Sequence, residues 1–179
     1  MIVYHGTDYE NAKRICSEGF TYKAKPNHWL GNGVYFFQDY SLAKWWTTNP
    51  TKEFGSRISK PAIIQCNLEV DDSQMLNLLK LEDYIQFSDI FDKEFYTKYY
   101  EPRHPYEPPK WERLRCAYCD YLRETYELDM IIGNFDKPDQ PYLPSKHGNE
   151  FDEFLLQYTE VQICVFNEEI IKDLSIERL

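Results

Sequence analysis

Three segments that lie far apart in the chain decide how the sequence folds: YHGT at residues 4–7, GNGVYFF at 31–37 and EVQICVF at 160–166. The first ends an apolar strand on an imidazole and on Gly6, whose backbone a ligand can approach because it has no Cβ. The second places an aromatic ring on a strand entered through two glycines. In the third, Glu160 and Gln162 are two residues apart and share one face of a strand. The three segments together predict a cleft for a flat heterocyclic ligand.

The composition is that of one acidic domain. The chain has 179 residues, enough for a sizeable core, and it carries 15 Tyr, 11 Phe and 4 Trp. The net charge of −10 argues against a broad phosphate-tracking surface and is compatible with a basic partner. An apolar run of bilayer length and a leader-like N-terminus are both missing from the sequence. We therefore expect a cytoplasmic protein without a membrane partner.

The cysteines predict no metal site. Their number is odd, at five, and they form no framework, as expected for a reducing cytosol. Cys116 and Cys119 make one C-x-x-C pair, but a structural zinc site needs four ligands. We interpret the pair as two residues on a helix face.

The N-terminal third predicts alternating strands and helices. Residues 1–4 read as a strand, and Thr7 with Glu10 resembles a capping box that starts a helix ending at Gly19. A strand is expected over 34–37. A second helix is expected over 41–48, capped by Asp39 or Ser41.

The rest of the sequence, after the N-terminal third, predicts strands on either side of a helical insert over about 72–126. Strands are expected over 62–70, 130–132 and 161–166, with a helix over 111–126 and a proline-rich connector over 101–109. Residues 135–150 are expected to form a loop, 151–157 a helix or an extended segment, and 168–174 a short helix or a strand extension. This order fits an α+β domain, although periodicity alone indicates only mixed α and β structure.

In the three quoted motifs, the sequence resembles the PARP-like (diphtheria-toxin-type) ADP-ribosyltransferases, and within them the branch of bacterial toxins and effectors. That family carries a His–Tyr–Glu triad in this order. The resemblance is strongest over 2–46 and weaker over 129–133 and 158–171. It implies an ADP-ribosyltransferase fold, with a split antiparallel sheet core around an NAD cleft. It also implies a single catalytic domain over 1–179 that contains the helical insert, uses NAD+ as substrate and needs no metal.

The resemblance assigns roles in NAD+ binding to the first two motifs. His5 would hydrogen-bond the adenosine ribose, Gly6 would bind the nicotinamide carboxamide through its backbone, and Thr7 would add a hydroxyl group. Tyr35 would stack on the nicotinamide ring, and Gly33 would allow close backbone approach. The residues alone leave simpler roles open: a strand-end histidine, a helix-capping threonine and a core tyrosine.

A second aromatic residue of the following helix would complete the stack. Trp45 and Trp46 both qualify, and the spacing from Ser41 and Ala43 favours Trp45. Stacking a pyridinium ring between aromatic faces adds a cation–π contribution of about 1–2 kcal/mol.

The third motif departs from the family pattern, because Gln162 occupies the position of the family's catalytic Glu. Gln162 accepts a hydrogen bond but carries no charge. Glu160 lies on the same face and would either supply the missing negative charge or orient the acceptor nucleophile. The expected catalytic residues are thus His5, Tyr35, Gln162 and Glu160. The expected activity is mono-ADP-ribosylation, with a catalytically weak NAD/ADP-ribose-binding module or an NAD glycohydrolase as alternatives.

The resemblance also indicates a macromolecular acceptor and a bacterial or phage-related toxin or effector. The acidic charge favours a protein acceptor slightly over RNA or DNA. An antitoxin or immunity partner is compatible with that charge.

Overall fold

The computed structural model describes residues 1–49, 58–103, 110–136 and 159–179. Its centre is a seven-stranded sheet with the order β4-β5-β6-β2-β1-β3-β7. The strands are β1 (Ile2–Asp8), β2 (Val34–Phe37), β3 (Pro61–Leu68), β4 (Met75–Asn77), β5 (Met130–Asp136), β6 (Thr159–Val165) and β7 (Ile171–Arg178). The α+β class predicted from the sequence is confirmed.

Four α-helices accompany the sheet: α1 (Tyr9–Glu18), α2 (Tyr40–Thr48), α3 (Leu81–Ile90) and α4 (Trp111–Tyr126). A π-helical segment, Phe91–Tyr100, continues α3, and short 3₁₀ turns cover Asp72–Gln74, Glu101–Arg103 and Glu168–Ile170. Within the described residues, no helix is long and apolar enough to span a bilayer.

The sheet is continuous and mixed. Strand β4 runs parallel to β5, whereas the other neighbours are antiparallel. The expectation of a purely antiparallel core therefore needs correction, because α3, the π-helical segment and α4 form a long crossover that returns the chain parallel to β4. Strands β4, β5, β6 and β2 form one half of the sheet, and β1, β3 and β7 form the other. The joint between the halves is narrow, because β1 and β2 share only the register pair Tyr4–Phe37.

Each face of the sheet has its own core. Helix α1 packs on the face that carries Val3, Phe36 and Ile163, while Ala12 and Ile15 supply its buried stripe. The opposite face carries Ile131 and Cys164, and Leu30 and the aromatic insert pack against it. Alternation along the strands produces this division, because successive side chains point to opposite faces.

Several predicted elements match the structure, and one cap does not. Helix α4 spans the predicted 111–126, and Gly19 ends α1 with φ +87° and its N–H bonded to Ile15. The predicted cap at Thr7 is wrong. Strand β1 continues through Thr7, and Asp8 caps α1 by accepting a hydrogen bond from the Glu10 amide at 3.0 Å. Pairing of β1 with β3 as far as Pro61 keeps Thr7 extended.

Strand β4 was not predicted, since it lies inside the expected helical insert. For 168–174, where a short helix or a strand extension was expected, the structure has a 3₁₀ turn followed by β7, which continues to Arg178. The alternative caps of α2 are settled in favour of Asp39, which accepts from the Ser41 amide at 2.6 Å. Strand β5 continues past Gly133 to Asp136. Predictions for residues 104–109 and 137–158 lie outside the described residues.

The insert has an aromatic centre that we expect to be required for folding. Phe95 is fully buried, and its ring lies 4.8 Å from that of Tyr118 and 5.3 Å from that of Tyr121. Phe95→Ala should therefore lower the free energy of unfolding by about 3–5 kcal/mol in urea titrations. Tyr84 of α3 is 55% exposed, and Tyr84→Ala should change this free energy by less than about 0.5 kcal/mol. Equal effects of the two variants would contradict this account of the insert.

Candidate functional site

The three motif strands are neighbours in the sheet, in the order β6-β2-β1. Phe37 pairs with Gln162, Tyr35 with Cys164, and Gly133 of β5 with Gln162. Segments more than 100 residues apart in the chain are thus brought into one region of the molecule. The side chains of Tyr35, Phe37 and Gln162 project from the same face, because paired residues of adjacent strands share a side.

His5 lies at the seam between β1 and β2. Its Nδ1 is 2.8 Å from the Tyr35 carbonyl oxygen, and its ring packs edge-on against Phe20 and Phe36. A carbonyl oxygen only accepts, so Nδ1 donates and Nε2 of the neutral ring is left as an acceptor. Burial lowers the pKa of His5, an effect that the hydrogen bond to Tyr35 partly offsets. The ring is therefore neutral at pH 7. It faces the α1 side, not the face that carries Tyr35.

Tyr35 is held by its hydroxyl group. The hydroxyl accepts from the Leu30 amide at 2.6 Å and donates to the Gly31 carbonyl at 2.8 Å. Burial raises the pKa of Tyr35 far above its ordinary value, so the phenol stays protonated. The ring stacks near His28, with centroids 5.7 Å apart. The stacking of Tyr35 on a nicotinamide ring stays a prediction.

The glycines of the first two motifs serve packing. A Cβ on Gly33 would lie 2.5 Å from the Val165 carbonyl oxygen, and one on Gly6 would lie 2.8 Å from the Ala43 carbonyl oxygen. The close approach at Gly33 is therefore to β6, and the one at Gly6 is to α2. Thr7 faces the same side as His5 and lies opposite Ala62 of β3. Whether the Gly6 backbone binds a carboxamide stays a prediction.

The carboxylate of Glu160 connects α2 to β6. Its Oε1 accepts from the Trp46 indole N–H at 3.0 Å and from the Gln162 amide at 2.8 Å. Glu160 is fully buried and Gln162 is 8% exposed. The predicted sharing of a face by Glu160 and Gln162 is confirmed. The Gln162 nitrogen donates to Glu160, and the described residues supply no hydrogen bond to its carbonyl oxygen.

Trp46 is the indole that reaches this carboxylate. Its ring stacks on Phe37 with centroids 6.0 Å apart, and Trp45 stands nearly perpendicular to it at the same separation. The spacing from Ser41 and Ala43 favours Trp45 as the stacking residue. The structure instead brings Trp46 to Glu160, to which Gln162 also donates.

Sequence reasoning missed a brace from α4 to the glycine-flanked loop. The Asp120 carboxylate accepts from the Asn32 backbone amide at 2.7 Å and from its side-chain amide at 2.6 Å. Arg123 donates to the Asn32 carbonyl at 3.4 Å. These bonds hold Gly31 in its left-handed conformation, φ +90°, and with it the two backbone groups that hold Tyr35. No local pattern predicts a contact across 88 residues.

The C-x-x-C cysteines lie on the buried side of α4. Cys116 contacts the Lys25 carbonyl at 3.4 Å, and burial raises its pKa to about 11. All five cysteines are free thiols. In the part of the chain that the structure describes, no three His, Cys, Asp or Glu side chains are grouped to hold a metal ion. The absence of a metal stays a prediction.

Comparison with known proteins gives similarity without a family. No family model matches the chain. The chain is similar to an uncharacterized protein of Methanocaldococcus jannaschii, with 26% identity over 194 aligned residues. The alignment covers 98% of this chain and 86% of that protein, so the similarity extends through the insert.

The brace leads to a stability prediction. Asp120→Ala removes two charge-assisted hydrogen bonds and should lower the free energy of unfolding by about 1.5–3 kcal/mol in urea titrations. Hydrogen exchange of the Leu30 and Asn32 amides should accelerate at the same time. The exposed carboxylate of Asp92 provides the control, and Asp92→Ala should leave both measurements near wild type. Unchanged exchange at Leu30 in Asp120→Ala would show that α4 does not hold the loop.

The lowered pKa of His5 leads to a pH prediction. Below about pH 6.5, the unfolded state binds a proton that the folded state resists, so stability falls as the pH falls. The contribution from one proton is at most about 1.4 kcal/mol per pH unit. His5→Asn keeps an amide donor for the Tyr35 carbonyl but does not titrate. Its stability should fall less than that of the wild type between pH 6.5 and 5.5 in denaturant titrations. Identical pH profiles would contradict the assignment.

Proposed function

We propose that this protein is a mono-ADP-ribosyltransferase that moves ADP-ribose from NAD+ to a macromolecular acceptor. The observation that carries the proposal is the placement of Glu160, Gln162 and Trp46. A buried carboxylate, an amide that donates to it and an indole meet at the strand where the resembling family has its catalytic Glu. The adjacency of β6, β2 and β1, which carry the three motifs of that resemblance, supports it further.

The reaction breaks the bond between the nicotinamide nitrogen and ribose C1′, and the electron pair leaves with nicotinamide. Positive charge moves from the pyridinium ring to the ribose, which resembles an oxocarbenium ion until the acceptor nucleophile bonds to C1′ and loses its proton to solvent or to a base. A fixed negative charge beside C1′ stabilises this state and need not reorganise during the reaction. Glu160 is the residue proposed to supply that charge.

The other residues bind and orient the substrate. The Gln162 carbonyl oxygen accepts from a ribose hydroxyl group, and Tyr35 and Trp46 offer aromatic faces to nicotinamide. The role of His5 as a ribose partner rests on the family resemblance alone, because its ring packs against Phe20 and Phe36 on the opposite face of the sheet from Gln162. Neither Tyr35 nor His5 is assigned a proton transfer. Tyr35 stays protonated, and the Nδ1 proton of His5 is engaged by a carbonyl.

A binding module is the second candidate. The Glu160 oxygen that faces Trp46 and Gln162 already accepts two hydrogen bonds, which reduces the charge it presents to a substrate. The same fold would then hold NAD+ or ADP-ribose without turnover. The role as a bacterial or phage toxin or effector, with an antitoxin partner, rests on the family resemblance alone.

Substitution of Glu160 tests the proposal. Purified protein is incubated with NAD+ with and without lysate, and nicotinamide release and labelling of macromolecules are measured. Glu160→Gln should depress transfer by roughly 10²-fold or more while NAD+ binding, followed by calorimetry, changes only a few-fold. Gln162→Ala should weaken both binding and transfer. The exposed residue Glu169 provides the matched control, and Glu169→Gln should behave as wild type.

Each other outcome points to a different function. Release of nicotinamide without labelling identifies a glycohydrolase, and NAD+ binding without release identifies the binding module. Protease or nuclease treatment of the labelled product then separates a protein acceptor from RNA or DNA. Wild-type transfer by Glu160→Gln would place the transition-state charge elsewhere and overturn the assignment of β6.

A further inference from the structure

An arginine of the insert stands beside the candidate site between two aromatic rings. The guanidinium carbon of Arg115 lies 5.2 Å from the ring centre of Trp29 and 5.5 Å from that of Phe135. The two rings meet edge to face with centroids 4.5 Å apart. Phe135 and Trp29 are each half-buried, so this group, the Arg115 cluster, forms a wall at the surface of the molecule.

The sheet register places the Arg115 cluster next to Glu160. Phe135 of β5 pairs directly with Glu160 of β6, and directly paired side chains have Cβ atoms about 4.5–5.5 Å apart on the same face. Gly133, two residues earlier, pairs with Gln162 and is covered by Leu30. The cluster thus borders Glu160 and Gln162 on the β5 side, and Trp46 borders them on the β2 side.

The donors of Arg115 are not used within the described residues. Its Nε is shielded from solvent and finds no acceptor there, and no carboxylate forms an ion pair with its guanidinium. Among the residues that the structure describes, ring contacts are what hold the positive charge in place. A guanidinium fixed in this way presents a planar fork of N–H donors that matches a phosphate group.

We propose that Arg115 binds a phosphate group of the nucleotide that occupies the site. This inference rests on the proposed function and deepens it by naming a phosphate-binding residue outside the three motifs. The phosphate belongs either to the pyrophosphate of NAD+ or to a nucleic-acid acceptor. Both have the same chemistry, and the experiment separates them.

The test compares ligands that differ in their phosphate groups. Binding of ADP-ribose, inorganic pyrophosphate, nicotinamide riboside and a short single-stranded oligonucleotide is measured by calorimetry. Wild type is compared with Arg115→Gln and Arg115→Lys, and the exposed Arg113 of the same helix supplies the control Arg113→Gln. Circular dichroism checks that each variant is folded.

We expect Arg115→Gln to weaken ADP-ribose and pyrophosphate binding about ten- to hundred-fold and to leave nicotinamide riboside within two-fold. Arg115→Lys keeps the charge but not the planar fork, so its affinity for these ligands should lie between those of the wild type and Arg115→Gln. If only oligonucleotide binding weakens, the phosphate is that of the acceptor. Equal loss for the riboside and ADP-ribose, or no loss for any phosphate ligand, would overturn the inference.

The outcome for the inference is separable from that for the proposed function. Arg115-dependent binding of pyrophosphate by a protein that neither binds NAD+ nor releases nicotinamide would retain the phosphate site and reject the transferase. The opposite result is also recognisable. If Glu160→Gln loses nicotinamide release while Arg115→Gln keeps both nicotinamide release and ADP-ribose binding, the transferase is retained and the phosphate site is rejected.

Discussion

The site depends on the buried carboxylate of Glu160. Burying an ionised group is costly unless hydrogen bonds compensate, and here one oxygen accepts from Trp46 and from Gln162. The same two bonds fix α2 against β6 and set the orientation of the Gln162 amide. The proposed chemistry would use the same group, because Glu160 lies two residues before Gln162 on the same face of β6.

The helical insert builds the opposite wall of the candidate site. Asp120 and Arg123 of α4 hold Asn32, and the loop so held supplies the two backbone groups that fix the hydroxyl of Tyr35. The aromatic core around Phe95 supports α4 from behind. Packed rings and hydrogen bonds thus form an unbroken set of contacts from Phe95 through α4 to the loop that holds Tyr35.

Local patterns in the sequence were enough to predict α4, β2, the Gly19 cap and the shared face of Glu160 and Gln162, because each depends on periodicity or on one residue's conformational preference. They misplaced the cap at Thr7, since strand pairing with β3 extends β1 to Asp8. The sequence predicts that Gly33 allows a ligand to approach its backbone, but the group that lies close to Gly33 is the backbone of β6. The Asp120–Asn32 brace and the Arg115 cluster were missed because they join residues dozens of positions apart, and no local pattern reports such contacts.

The central claim is that NAD+ binds where Trp46 meets Glu160. The most direct measurement is an NMR titration of ¹⁵N-labelled protein with NAD+ that follows the tryptophan indole N–H signals. Trp46 donates to Glu160, whereas Trp111 is 72% exposed on α4 and serves as an internal reference. The account predicts a saturable shift of the Trp46 indole signal, with the Trp111 signal unchanged. A Trp46 signal that stays fixed while NAD+ saturates the protein would contradict it.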